Sequence, residues 1–263
     1  CSIARHVFHA AGKESTPGID QMKRKALVVG GTGPSGPYVL QGLLERGYDV
    51  TILHRGVHEP GDLPDVRHIH ADPHFAEQLA PALHDEEFDT VIAMYGRLEM
   101  QAEVFAGRCD RFMAVGARII YDGYIDPAST FPRGMRLMAT EESALADPSR
   151  IADERARRFA ARMLAAENAV FSRHERGAYR ATLLRYPYIY SPRATATIER
   201  SVIQRVRDGR SFIALPNLGL GITSRCAAEN AAHCILLALD NEAAFGEAFN
   251  CADEDQYSLA QWV

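Results

Sequence analysis

The sequence predicts an α/β protein: a doubly wound parallel sheet with helices on both faces, followed by a smaller and less regular C-terminal region. Two observations carry this expectation. Short apolar, β-branched runs alternate with helix-length stretches from residue 26 to residue 185, the pattern of strands joined by crossover helices. A glycine-spaced loop, Gly30-Gly-Thr-Gly33-Pro-Ser-Gly36, separates the first run from the first helix.

The elements follow in order. Ala26-Leu-Val-Val-Gly30 is uniformly apolar, as a strand buried on both faces must be. The stretch 36–46 carries Val39, Leu40, Leu43 and Leu44 on one helical face, and Gly47 is placed to end it. Asp49-Val-Thr-Ile-Leu53, Val66-Arg-His-Ile-His70 and Thr90-Val-Ile-Ala-Met94 read as the next three strands. Arg118-Ile-Ile-Tyr121 is taken as the fifth strand and Ala181-Thr-Leu-Leu-Arg185 as the sixth. The longest helix is expected over 150–174, with Ile151, Phe159, Met163, Leu164 and Val170 among its apolar residues. Further helices are expected near 195–208 and 227–239, flanking a loop-rich segment from Gly209 to Gly221. The chain stops at Trp262-Val263, just inside a helix that Ser258 would cap, so the C-terminal part is expected to be incomplete.

Composition narrows the function classes. A 263-residue chain buries roughly 70–75% of its unfolded surface, so neither disulfides nor a metal is needed for stability. With 47% hydrophobic and 24% charged residues, wholesale disorder is excluded. Lys+Arg total 29 against 34 Asp+Glu, a net charge of −5, which disfavours a general nucleic-acid binder or a polybasic membrane protein. No apolar run approaches the ~20 residues of a membrane span. The cysteines (Cys1, Cys109, Cys226, Cys234 and Cys251) are odd in number and lack C-x-x-C spacing, which fits reduced thiols and a cytoplasmic location. Residues 1–21 lack an apolar signal core and read as an N-terminal extension ahead of Met22-Lys-Arg-Lys25.

The glycine loop is the strongest chemical signal. Its Gly30-x-x-Gly33-x-x-Gly36 spacing allows a tight turn and close backbone approach, and the helix N-terminus behind it aims N–H groups at a phosphate. After the second strand stands His54-Arg55-Gly56, where a carboxylate would grip a ribose 2′-hydroxyl. Arg55 suits a 2′-phosphate instead, pointing to NADP with NAD possible; the alternative is an ordinary surface arginine. Asp72 follows the third strand, where an adenine-edge contact would form.

Several blocks then resemble the NAD-dependent epimerase/dehydratase family, the extended short-chain dehydrogenase/reductases. They are the glycine loop, Asp89-Thr-Val-Ile-Ala93, Thr140-Glu-Glu-Ser143, the segment Leu184-Arg-Tyr-Pro-Tyr-Ile-Tyr-Ser-Pro192, and Gly246-Glu-Ala-Phe-Asn250. The resemblance spans about residues 24–262 and is specific for the superfamily, not for a substrate. It implies a Rossmann-like domain over 22–192 and a partial substrate-binding region over 193–263 whose late strand returns to the sheet. It further implies that Gly30, Thr32, Gly33, Pro34, Ser35 and Gly36 contact the cofactor phosphates and that Met94, Tyr95 and Gly96 line the ribose. Tyr121 would lie among the cofactor contacts, and Pro187 and Tyr188 would flank the nicotinamide. A small-molecule substrate and a homodimer paired through the long helices are further implications.

One family feature is missing. The family's Tyr-x-x-x-Lys pair sits on the long helix, where four-residue spacing puts both groups on one face. Here the matching positions are Phe159 and Met163, and no lysine follows Lys25. Either the acid/base has moved, with Asp122 and Tyr124 as first candidates and Tyr188 and Tyr95 behind them, or hydride chemistry has been lost. The first case is an atypical oxidoreductase or epimerase/dehydratase-like enzyme. The second is a nucleotide-binding regulator or scaffold, which an arginine-rich helix face (Arg155, Arg157, Arg158, Arg162) could extend to RNA.

Six histidines fall between residues 54 and 84: His54, His58, His68, His70, His74 and His84. His68 and His70 share one face of a strand, but no closing ligand is evident at plausible spacing, so the favoured reading is surface and strand-edge histidines with no metal. Cys226 and Cys234 are expected in the core, and no Gly-x-Ser-x-Gly elbow is present.

Overall fold

The computed structural model describes residues 23–263 apart from 58, 62 and 195–197. The proposed N-terminal extension, Met22 and His58 therefore lie outside the described residues. The chain forms strands β1 (Lys25–Val29), β2 (Asp49–His54), β3 (Arg67–His70), β4 (Phe88–Ala93), β5 (Cys109–Ala117), β6 (Arg180–Tyr186), β7 (Tyr188–Tyr190), β8 (Arg225–Ala227) and β9 (Ala248–Asn250). The helices are α1 (Gly36–Glu45), α2 (Ala76–Ala82), α3 (Leu98–Val104), α4 (Glu154–Glu175), α5 (Ile198–Arg207), α6 (Ala228–Leu239) and α7 (Leu259–Trp262).

Seven strands make one sheet in the order β3-β2-β1-β4-β5-β6-β9, and every pairing is parallel. Strand side chains alternate between faces, so β1 feeds two cores at once. Ala26 and Val28 pack with Leu40 and Leu43 of α1 and Ile235 of α6. Leu27 and Val29 pack with Leu79 of α2, Ala102 of α3 and Val170 of α4. All four of these β1 residues, Ala26 to Val29, are 0% exposed, which is why this stretch shows no polar alternation. The order reverses between β1 and β4, where diverging crossovers open a crevice beyond the carboxyl ends of the strands.

Two expectations about elements need correction. The fifth strand is Cys109–Ala117, and Arg118–Ile120 is a short 3₁₀ turn that has already left the sheet. Ile119 and Ile120 look strand-like because they are apolar, but this segment binds a neighbouring loop. Asp122 N–H donates to the Ala144 carbonyl at 2.9 Å and Ala146 N–H to the Ile120 carbonyl at 2.8 Å. The long helix begins at Glu154, not near 150, because Asp153 accepts from Ala156 N–H at 2.7 Å and caps it. Residues 148–150 form a separate turn capped by Asp147.

The C-terminal region adds the parallel pair β7–β8. Its last turn, α7, carries a full capping box built on Ser258 and Gln261. The Trp262 indole N–H donates to Glu199 at 2.7 Å, and Arg225 lies 4.5 Å from the Trp262 ring, so α7 is tied to α5 and β8.

Candidate functional site

The crevice at the switch point holds a cavity of about 490 Å³, within the size range of small-molecule sites. Its floor is the glycine loop. Gly30 leaves β1 at φ +97°, and a Cβ there would stand 2.7 Å from Tyr95 Cβ. Gly36 opens α1 against the loop itself, where a Cβ would fall 1.9 Å from the Gly31 carbonyl oxygen. Only hydrogen fits at either position, so the loop can fold back over the sheet end and leave its backbone open to a ligand. Ser35 precedes α1 without a side-chain cap, and Pro37 occupies the first turn, where its missing N–H loses nothing. The uncapped first turn and helix dipole suit an anion.

The walls come from neighbouring strand ends. Arg55 and Gly56 follow β2, Met94 and Tyr95 follow β4, Val115 comes from β5, and Tyr186 and Ile189 come from the β6–β7 segment, with Arg193 just beyond. The Arg55 guanidinium lies 5.5 Å from the Tyr95 ring centroid, and the His74 ring meets Tyr95 edge-on at 4.9 Å. The Tyr186 hydroxyl donates to the Ala231 carbonyl at 3.1 Å. Burial pushes this phenol well above its ordinary range, so it stays neutral.

The sequence-derived residues divide cleanly by position. Gly30, Thr32, Gly33, Pro34, Ser35, Gly36, Arg55, Met94 and Tyr95 line the cavity. Asp72, Gly96, Tyr121, Pro187 and Tyr188 do not line it. Asp72 accepts from the ring and backbone N–H of His74 at 2.8 and 3.0 Å, and these bonds hold its carboxyl below the usual range despite the opposing effect of partial burial. Gly96 sits beside Gln101, whose amide donates to the Tyr95 carbonyl at 2.6 Å and so shapes the turn after β4. Tyr121 is fully buried, donating to Asn250 Oδ1 at 2.8 Å and accepting from Arg185 at 2.8 Å. The Tyr188 hydroxyl accepts from Ile198 N–H at 3.1 Å, which turns the ring toward α5.

Asp122 and Tyr124 lie on the loop that leaves β5, outside the cavity wall. Asp122 is paired with Arg150 at 2.6 Å, and Tyr124 is 41% exposed. Because β5 ends at Ala117, Asp122 does not cap a strand end. Phe159 and Met163 are half-buried on α4, with Arg162 5.5 Å from the Phe159 ring.

Sequence reasoning missed Gly31, His54, Gly56, Val57, Val115, Tyr186, Ile189 and Arg193 as cavity residues. Strand parity was the available signal for two of them. Tyr186 and Ile189 belong to the same Leu184–Pro192 block as Pro187 and Tyr188, and only the exact strand break between β6 and β7 decides which of the four face inward. No signal marked Arg193.

Residues 26–104 match the sequence model of the NAD dependent epimerase/dehydratase family. No curated protein matches the chain. Among solved structures, it is similar to the UDP-glucuronic acid 4-epimerase of Bacillus cereus in complex with UDP-glucuronic acid and NAD, with 16% identity, a TM-score of 0.68, and coverage of 90% of this chain and 80% of that one. It is similar to the UDP-glucose 4-epimerase of Thermotoga maritima with UDP-glucose, with 14% identity, a TM-score of 0.70 and coverage of 90% and 80%. It is similar too to the UDP-N-acetylglucosamine 4-epimerase of Methanobrevibacter ruminantium in complex with UDP-N-acetylmuramic acid, with 15% identity, a TM-score of 0.70 and coverage of 91% and 80%. At such identities the likeness shows the fold. The family match runs through the glycine loop at the sheet's switch point, so the segment 26–104 is similar to the NAD dependent epimerase/dehydratase family, and the fold of the whole chain is the one these solved structures share.

Proposed function

We propose that this protein binds a nicotinamide adenine dinucleotide in the switch-point cavity and acts on a small organic substrate as an atypical oxidoreductase or epimerase/dehydratase-like enzyme. The observation that carries the reading is the cradle at Gly30 and Gly36, which a single Cβ would fill. The donor set fits the cofactor. Backbone N–H groups of the loop and the α1 dipole would hold the pyrophosphate, Met94 and Tyr95 would border the ribose, and Tyr186 and Ile189 would form the end for the nicotinamide ring. Arg55 supports NADP over NAD, because its guanidinium stands at the cavity where a 2′-phosphate would lie and no carboxylate is among the cavity-lining residues. When bound, the nicotinamide supplies reversible hydride exchange.

The chain's own part is to bind, orient and move a proton. Asp122 and Tyr124 remain our first candidates for proton transfer. For either to act, the loop after β5 must turn toward substrate and Asp122 must part from Arg150. Tyr95, already on the wall and 45% exposed, is the next candidate. The similar structures hold UDP-sugars, which makes nucleotide sugars the first substrates to screen. We place the cofactor domain at residues 22–192 and the substrate side at 193–263.

A second reading, a nucleotide-binding regulator without hydride chemistry, is favoured by one observation. Phe159 and Met163, at the positions that match the family's Tyr-x-x-x-Lys pair, carry no group that transfers a proton, and no lysine follows Lys25. Calorimetric titration with NADP⁺ and NAD⁺ tests both. Micromolar NADP⁺ binding, followed by spectral change of bound NADPH on adding a nucleotide sugar, supports the enzyme. Binding with no turnover across that panel supports the regulator, and no binding of either dinucleotide to folded, nucleotide-free protein defeats both.

A further inference from the structure

Beside the cavity, on its far side from β4, the fold gathers a group that no strand or loop displays alone. His54 ends β2, His68 and His70 lie two apart on β3, and Glu59 comes from the connecting loop. The β2–β3 register sets Ile52 opposite His68 and His54 opposite His70. His68 and His70 therefore share a face, and His54 joins them from the neighbouring strand. One ligand atom from each of the four residues lies within 4.8 Å of all the others. The closest approaches are His54 Nε2 to His68 Nδ1 at 2.9 Å, His70 Nε2 to Glu59 Oε1 at 3.0 Å and His54 Nε2 to Glu59 Oε1 at 3.7 Å.

We propose that His54, His68, His70 and Glu59 form a binding site for a divalent transition metal ion of the zinc type. Tetrahedral zinc with bonds of about 2.0–2.2 Å sets its ligand atoms roughly 3.3–3.5 Å apart, and the three close pairs here straddle that spacing. The donor set also selects the ion. Three imidazoles and one carboxylate suit zinc, cobalt or copper, whereas calcium and magnesium require a shell of oxygens. The site is half built into the fold. His54 is 4% exposed at a strand end, and the two β3 histidines are set by the sheet register, so only Glu59 comes from a loop.

Loading the site replaces the His54–His68 and His70–Glu59 hydrogen bonds with bonds to the metal and exchanges one hydrogen bond to the backbone. In the metal-free arrangement His54 Nδ1 accepts from Gly56 N–H at 3.1 Å, so its proton sits on Nε2 and points at His68. A metal needs that Nε2 lone pair. The neutral ring changes tautomer, its proton moves to Nδ1, and the Gly56 amide turns away. No net proton has to leave. His68 and His70 need no such exchange with the backbone, since both are exposed on the edge strand.

The test is zinc titration of the chelator-stripped, full-length protein by calorimetry, with Co²⁺ as a spectroscopic probe. One zinc per chain at micromolar affinity or tighter, together with the intense visible Co²⁺ bands of four-coordinate geometry, is the expected result. His68→Ala and His70→Ala should each weaken binding at least tenfold, Glu59→Gln should weaken it less, and His84→Ala, outside the cluster, should change nothing. Circular dichroism of the two exposed-site variants should match wild type, which separates a lost ligand from a lost fold. The proposal is overturned if no stoichiometric site appears below about 100 μM, or if the His68→Ala/His70→Ala double variant binds zinc as tightly as wild type.

Discussion

Arg185 and Glu167 form a two-pronged ion pair between β6 and α4, with Nε to Oε1 at 3.1 Å and Nη2 to Oε2 at 2.8 Å. Their side chains are only 5% and 6% exposed. Arg185 also donates to the Tyr121 hydroxyl, which in turn donates to Asn250 on β9. The loop after β5, the long helix and the last sheet strand are thus joined by one buried polar chain. Charged groups removed from water in this way stabilise only as a complete set.

Breaking that set is therefore expected to be severe. Glu167→Ala should destabilise by roughly 3–5 kcal/mol, because it leaves the guanidinium buried without its counter-charge. A double variant, Glu167→Leu with Arg185→Met, should recover a substantial part of the loss. Urea denaturation of the three proteins checks this, and a double variant no better than the single one would contradict the pair's role.

Gly36→Ala should abolish dinucleotide binding. The added methyl would sit 1.9 Å from the Gly31 carbonyl oxygen, and backbone on both sides leaves nothing flexible to yield. A change of Gly47→Ala is the contrast. It meets no neighbour within 4 Å but keeps φ at +76°, so it should lower stability by about 1 kcal/mol and leave binding unchanged. Calorimetry and thermal melts of both variants separate these outcomes.

Arg55→Ala should weaken NADP⁺ binding by about 10- to 100-fold, the loss of one charge-assisted contact to phosphate. NAD⁺ binding should change little. Equal weakening of both cofactors would mean that Arg55 acts through its stacking on Tyr95 and not on a 2′-phosphate.

The edge strand carries a pH-dependent pair. Arg67 grips Glu86 with two bonds of 2.7 and 2.6 Å, and this holds the Glu86 carboxyl below its ordinary value of 4.5. A depressed folded value means that the unfolded chain takes up the proton first as pH falls. The contribution is complete above about pH 4.5 and disappears as pH drops through the folded value. Arg67→Ala should cost about 0.5–1 kcal/mol near neutrality, given the pair's partial exposure. The difference from wild type should close toward pH 3 in denaturation curves.

How far the sequence reaches is seen by comparing β1 with β5. Ala26–Val29 is buried on both faces and runs into glycines whose backbone path leaves no room for a Cβ, so strand, loop and helix were legible from local chemistry. Arg118–Tyr121 carries two adjacent isoleucines and a tyrosine, yet it is no strand. Its partners are Leu145 and Ala146, about 25 residues away, and no local pattern announces them. Tyr121 illustrates the same point, since the neighbours that occupy its hydroxyl, Arg185 and Asn250, come from β6 and β9.

The sequence by itself determined the α/β class, the anion-ready glycine loop and the absence of a Tyr-x-x-x-Lys pair, because each depends on residue type and short spacing alone. The tertiary structure decided what stands around the loop. Strand order brings the ends of β1, β2 and β4 together, the break between β6 and β7 selects Tyr186 and Ile189 for the wall, and the β2–β3 register joins His54 to His68 and His70 with Glu59 closing the group. Those are long-range juxtapositions, set by which strands pair and in what register, and the chain's local preferences carry no record of them.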